Sequence, residues 1–147
     1  MCSSDLSAQM VKGGMVYAAS ADAAQSLVDV RDIAAVAAKI VQDPTPHAGK
    51  AYTLTGGESL TDTERVNLLS QAIGKPVGYT PIAVEYAANT MKNEWHMPEQ
   101  LVDCMSSLNQ IISAGYAKGI SPDVENLLGR APIGFAQFAG DYAQVWR

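Results

Sequence analysis

Two short stretches stand out near the start of the chain: residues 14–19, with Val16 and Tyr17, and 25–30, which ends in the alternating Leu27, Val28, Asp29 and Val30. Both stretches predict short strands, and the small residues 20–24 between them predict a turn. The period then changes. Ile33, Val36, Ala37, Ile40 and Val41 fall at i, i+3, i+4, i+7 and i+8, the stripe of a helix with one buried face, and Asp32 stands where its N-cap belongs. Pro44 and Pro46 end that helix. Residues 50–55 predict a strand closed by Gly56-Gly57. Thr61-x-x-Glu64 is a capping box for a helix carrying Val66, Leu69 and Ile73 on one side, with Gly74 just past its end.

A brief strand over 77–80 leads to a helix that starts at Pro81 and runs through Glu85 toward Trp95. Pro98 opens the longest helix, on which Leu101, Met105, Leu108 and Ile112 recur at i, i+4, i+7 and i+11, ended by Gly115 or Gly119. Ser121-Pro122 caps another that ends at Gly129. The last, from Gly134, aligns Phe135, Phe138, Ala139, Tyr142 and Trp146 as core packing. The pattern predicts about six helices and three or four short strands. The stripes of the Pro98 helix and of the C-terminal helix are expected to bury one another.

With 147 residues, 48% hydrophobic and 17% charged, the chain carries enough apolar surface to offset chain entropy in one folding unit. Ten Lys and Arg against fifteen Asp and Glu leave a net charge of -5, and the basic residues are scattered singly. That excludes a surface that tracks nucleic-acid phosphates. No apolar run approaches the roughly 20 residues that span a bilayer, so no membrane segment is expected. Cys2 and Cys104 belong to no Cys or His cluster, so neither a disulfide framework nor a metal site is expected. No secretory leader pattern precedes them, and the expected location is the cytoplasm.

Complete catalytic sets are missing as well. None of the six tyrosines has Lys four residues on, and no glycine-rich phosphate loop is present. The two histidines, His47 in a proline-flanked loop and His96 at a helix end, have no serine elbow to serve.

A family resemblance begins at Val28-Asp29-Val30-Arg31-Asp32-Ile33-Ala34. It continues through Ala51-Tyr52-Thr53-Leu54-Thr55-Gly56, Leu60-Thr61-x-x-Glu64 and Ile73-Gly74-Lys75-Pro76-Val77, then Met97-Pro98-Glu99, Leu128-Gly129-Arg130-x-Pro132, Phe135-x-x-Phe138 and Trp146. In this order and spacing the chain resembles the second half of NmrA-like, atypical short-chain dehydrogenase/reductase proteins, nearest the branch of NAD(P)H-dependent quinone reductases and epimerase-like proteins. The fold class implied is α/β: the C-terminal part of a Rossmann-like NAD(P)-binding protein, a mostly helical substrate-side lobe with a few short strands. Residues 7–147 then correspond to a C-terminal half whose dinucleotide-binding half is missing. Residues 1–6 are expected to be a non-native leader, since Cys2-Ser3-Ser4-Asp5-Leu6 resembles the translation of a common sequencing adapter.

The resemblance further implies that 51–54 is a strand of the dinucleotide-binding sheet, and that 27–30 pairs with 77–80 in the smaller lobe. NAD(P) is the cofactor implied for the longer protein, with none bound by this stretch alone. Two functions follow: an oxidoreductase delivering hydride to a quinone or similar small acceptor, the stretch alone being inactive, or a non-enzymatic NAD(P) sensor whose helical lobe meets a protein partner.

Tyr17, Trp95 and His96 are the substrate-binding candidates. The phenol of Tyr17 lies beside a turn, and a half-buried strand tyrosine is the plainer account. Trp95-His96 forms the one aromatic-plus-imidazole cluster, where the family more often has glycine before Met-Pro-Glu; a surface helix end is the plainer account there. Asp29, Arg31 and Asp32 are read as a capped strand-to-helix turn in which Arg31 pairs a neighbouring carboxylate. Catalytic and cofactor-binding residues stay unassigned.

Overall fold

The computed structural model describes residues 3–147, with side chains from residue 8 onward. The elements in order are α1 (Ser3–Lys12), β1 (Met15–Ala18), α2 (Val30–Gln42), a 3₁₀ turn (Thr45–His47), α3 (Asp62–Ile73), β2 (Gly78–Pro81), α4 (Val84–Asn93), α5 (Glu99–Ser113), α6 (Asp123–Leu128), α7 (Phe135–Asp141) and α8 (Ala143–Trp146). The chain is thus mostly helical, with β1 and β2 paired in parallel from Met15↔Gly78 to Ala18↔Pro81.

The boundaries follow local chemistry. Thr61 and Glu64 form the full reciprocal box at the start of α3, and Gly74 ends it in the left-handed conformation (φ 73°). A left-handed Gly129 likewise ends α6. At α2 the cap lies three residues earlier than Asp32: the Asp29 carboxylate accepts from the Arg31 amide at 2.8 Å, so the helix begins at Val30. Asp32 is inside the helix and wholly buried. Pro81 closes β2 instead of opening a helix, because the Ile82 amide still bonds the Ala18 carbonyl as a strand continuation (3.0 Å).

Two predicted strands do not form. Of 25–30, only Gln25 pairs, as an isolated antiparallel bridge with Leu60, because capping by Asp29 turns Val30 into the helix. The partner of β2 is therefore β1 and not 27–30. Residues 50–55 join no ladder among the described residues, since strand pairing needs a neighbour and none is supplied there; the Thr53 amide goes to the Asp123 carboxylate at 2.8 Å. Gly56 is required where it stands, because a Cβ there would run into the Leu27 carbonyl.

Two apolar clusters carry the fold. In the first, Val11 of α1 (1% exposed) meets Val66, Leu69 and Ile73 of α3, Val77, Ala139 and Trp146, with Phe135 and Phe138 packed around them. This realises the C-terminal aromatic stripe, apart from Tyr142 at its rim. In the second, Ala19 meets Ala87 and Met91 of α4 and Val102 of α5. The α5 and C-terminal stripes therefore do not bury each other. α5 packs on α4 through Val102 and Met105, leaving Leu101 and Leu108 exposed, whereas α7 and α8 pack on α3. No described helix is long and apolar enough to cross a membrane.

Candidate functional site

The predicted substrate residues lie on the surface. Tyr17 is 48% exposed on β1, opposite Thr80, and Trp95 is 41% exposed just past α4. His96 turns the chain between α4 and α5 in the left-handed region (φ 50°), the conformation that suits glycine at that position. No aromatic stacking or hydrogen bond joins Tyr17 to Trp95 or His96 among the described residues. Trp95 and His96 share the corner between α4 and α5, and Tyr17 lies on β1.

Asp29, Arg31 and Asp32 form a clamp. Arg31 donates to both oxygens of Asp29 (3.0 and 2.8 Å) and to Asp141 (2.7 Å), and lies 5.4 Å from the centre of the Tyr142 ring. These hydrogen bonds from Arg31 hold the Asp29 carboxyl below its ordinary value against the opposing effect of burial. Arg31 is shifted upward by the same partners. Asp32 meets Arg130 at 2.6 Å and accepts from the Ile133 amide at 2.7 Å. Both carboxylates are spent on α2, its cap and its attachment to the α6–α7 connection: Arg31 pairs a neighbouring carboxylate as expected, but the cap is Asp29 and not Asp32.

A second polar knot sits past β1, where Ala21 and Asp22 both take positive φ (52° and 57°). There the buried Ser20 hydroxyl donates to Asp62, which is also paired with Arg65, while the Tyr79 hydroxyl lies 3.4 Å from Ser20 and accepts from the Asp22 amide at 3.2 Å. Asp22 in turn accepts from the amide and hydroxyl of Thr63 (2.9 and 2.8 Å). Ser20 is 3% exposed and has no imidazole beside it, so this Ser–Asp pair ties β1 to α3 and offers no nucleophile to a ligand.

The sequence reading missed an open groove of about 590 Å³, lined by Ser26, Thr53, Thr55, Tyr116, Ile120 and Ser121 among others. It lies past the C-terminal end of α5, whereas Trp95-His96 lies at the N-terminal end; at 1.5 Å per residue the helix separates them by about 22 Å. Its walls come from three distant segments of serine, threonine and glycine, which carry no local signature. Groups of three or more His, Cys, Asp or Glu able to hold a metal do not occur among the described residues.

A dinucleotide pyrophosphate needs a helix N-terminus free of negative charge. Here α2 opens on Asp29 and Asp32, α3 on Asp62 and Glu64, α4 on Glu85 and α5 on Glu99. These helix starts do not fit the cofactor that the family implies.

No family model matches the chain. It is 36% identical over 133 residues to the NAD(P)H azoreductase of Xenophilus azovorans, covering 90% of this chain and 46% of that protein. It is 29% identical, with the same coverage, to the (4-alkanoyl-5-oxo-2,5-dihydrofuran-3-yl)methyl phosphate reductase of Streptomyces griseus. Among solved structures, an NADPH-dependent quinone oxidoreductase from Escherichia coli superposes with a TM-score of 0.79 at 25% identity, over 92% of this chain and 49% of that one. The NADP(H)-bound triphenylmethane reductase of Citrobacter sp. shares the fold at a TM-score of 0.76 and 23% identity, over 92% and 46%. The chain thus spans about half the length of the curated relatives it matches. Over about half their length, the chain matches the C-terminal half of an NmrA-like, atypical short-chain dehydrogenase/reductase fold.

Proposed function

We propose that this chain is the substrate-side portion of a longer, cytoplasmic NAD(P)H-dependent oxidoreductase that reduces a quinone or similar small acceptor. The observation that carries this reading is the 36% identity to an NAD(P)H azoreductase over 133 residues. The carboxylates in the first turns of α2 to α5 support placing the dinucleotide on residues outside this chain. What this chain contributes is then binding and orientation of the acceptor. Trp95 and His96 at the α4–α5 corner, and Tyr17 on β1, are the residues proposed to touch it.

The test is NADPH consumption at 340 nm by the full reading frame, with menadione as acceptor. Turnover by the full-length protein, with a raised KM in Trp95→Ala, is expected. Dinucleotide binding without consumption of NADPH by any quinone tried would overturn the reading. The 147 residues alone are expected to show no micromolar affinity for NADPH in calorimetry, and such affinity would mean that the cofactor site has been misplaced.

A further inference from the structure

We propose that the groove beyond α5 is a binding site for an uncharged planar ring bearing a hydrogen-bond acceptor, and that Tyr116 is the face on which the ring stacks. This goes beyond the oxidoreductase reading and does not depend on it.

The groove separates into a scaffold and a free surface. The Ser26 amide and hydroxyl bond the Ala117 carbonyl (3.0 and 3.1 Å), and the same hydroxyl reaches the Gly119 carbonyl at 2.6 Å. The Ser121 amide donates to the Thr55 hydroxyl at 2.9 Å, and Ser121 Oγ accepts from the Asp123 amide at 3.2 Å. These bonds stitch the 115–122 loop to two other segments, and Gly115 in the left-handed conformation (φ 81°) sets its entry. Loop geometry held this way limits the ordering that a ligand would have to impose.

On this fixed base Tyr116 is 80% exposed and Ile120 54% exposed, an aromatic and an aliphatic wall left in water. The hydroxyls of Thr53 and Tyr116 have no hydrogen-bond partner among the described residues, whereas those of Ser26, Thr55 and Ser121 are engaged. The Thr53 and Tyr116 hydroxyls are thus unengaged, and Ser121 Oγ, which only accepts, keeps its proton free: O–H donors beside an apolar wall, which suit a ring carrying a carbonyl.

Charge narrows the class further. No charged side chain lines the groove. Lys118 and Asp123 both lie outside the lining, and the Asp123 carboxylate accepts from the Thr53 amide at 2.8 Å. An anionic ring would leave water without meeting a lining cation.

The test uses coumarin, a neutral lactone, and coumarin-3-carboxylate as its anionic counterpart, titrated into the ¹⁵N-labelled chain. Saturable amide shifts confined to Ser26, Thr53, Tyr116, Gly119 and Ile120 are expected with coumarin, and at least tenfold weaker binding of the carboxylate. Tyr116→Ala should weaken coumarin about three- to tenfold, as loss of one stacking face does; unshifted resonances elsewhere in the variant confirm its fold. Thr53→Val, which keeps shape and removes the donor, should weaken it as well. Shifts centred on Tyr17, Trp95 and His96, equal binding of both coumarins, an unaffected Tyr116→Ala variant, or no saturation would each overturn the proposal. None of these outcomes alters the NADPH-consumption test of the full reading frame.

Discussion

Removing the Asp32 carboxylate should be among the most damaging single changes in this chain, although the sequence places it in an ordinary polar turn. The side chain is 0% exposed, accepts from the Ile133 amide at 2.7 Å and pairs with Arg130 at 2.6 Å. Asp32→Ala strands a buried N–H, which costs about 1–3 kcal/mol, and forfeits a charge-assisted hydrogen bond worth about 1.5–3 kcal/mol; the two overlap and do not add in full. Breaking a buried ion pair costs about 3–5 kcal/mol when the survivor stays buried. Arg130 is 45% exposed and can turn to water, so the lower end applies, about 3 kcal/mol. Asp32→Asn keeps an acceptor for Ile133 and should cost about half as much. Arg130→Ala should cost about 3–5 kcal/mol, well above the ~0.5 kcal/mol of ordinary surface changes, because the survivor is then a carboxylate at zero exposure. Urea unfolding at neutral pH, followed by far-UV circular dichroism with a shared m-value, measures all three. A loss below about 1 kcal/mol for Asp32→Ala would refute the argument, showing that water reaches the site.

Three further expectations rest on caps and backbone. Thr61→Ala should destabilise by about 0.5–2 kcal/mol, and adding Glu64→Ala should cost less than the sum of the singles because the two share one box; urea midpoints decide it. His96→Gly should raise the thermal midpoint slightly, since relief of a left-handed residue, about 1–2 kcal/mol, exceeds the flexibility cost of glycine, about 0.5–1 kcal/mol; a lower midpoint would show that the imidazole contributes to stability. Asp29 titrates below its ordinary 3.8 in the folded chain because Arg31 holds it, so its contribution is present above that pH and is lost as pH falls through the lowered value. Acid unfolding of Asp29→Asn should therefore be shallower than that of the unaltered chain, and identical acid limbs would count against the linkage.

What could be read from the sequence was what local chemistry decides. The α3 box with Gly74, the α6 stop at Gly129 and the start of α5 after Pro98 each depend on residues within one or two turns of each other. Misreadings arose where a distant partner decides. Asp29 and Asp32 are both acceptable caps by type, and only burial against Arg130 and Ile133 distinguishes the interior one. Leu101 and Leu108 have the same spacing as a buried stripe, but α4 lies one residue around the helix and covers Val102 instead. α1 was not foreseen, since no element was read before residue 14, yet Val11 anchors the first cluster; Met1 and Cys2 of the leader expected over residues 1–6 fall outside the described residues. The groove was illegible because Ser26, Thr53 and Tyr116 are unremarkable until the fold brings them together.

The attachment of α2 follows a different rule from that of the other long helices. α3, α4 and α5 contribute to the two apolar clusters, whereas no residue from 20 to 65 belongs to either. Val36 is buried, but Val30 is 66%, Ile33 42% and Val41 77% exposed along the apolar stripe. What fixes α2 is directional: Arg31 to Asp141 at one end, Asp32 to Arg130 and the Ile133 amide beside it, and Lys39 donating to the Leu127 carbonyl toward the other. Hydrogen bonds and ion pairs set orientation more strictly than apolar contact does, because they depend on angle as well as distance. α2 is thus held in a defined register with its apolar side still in water, next in sequence to the unpaired 50–55 segment. On the proposed function, both features have one explanation: a covering sheet layer would bury the stripe at roughly 25 cal/mol per Å² and pair the free backbone, on a helix whose register the polar clamps already define.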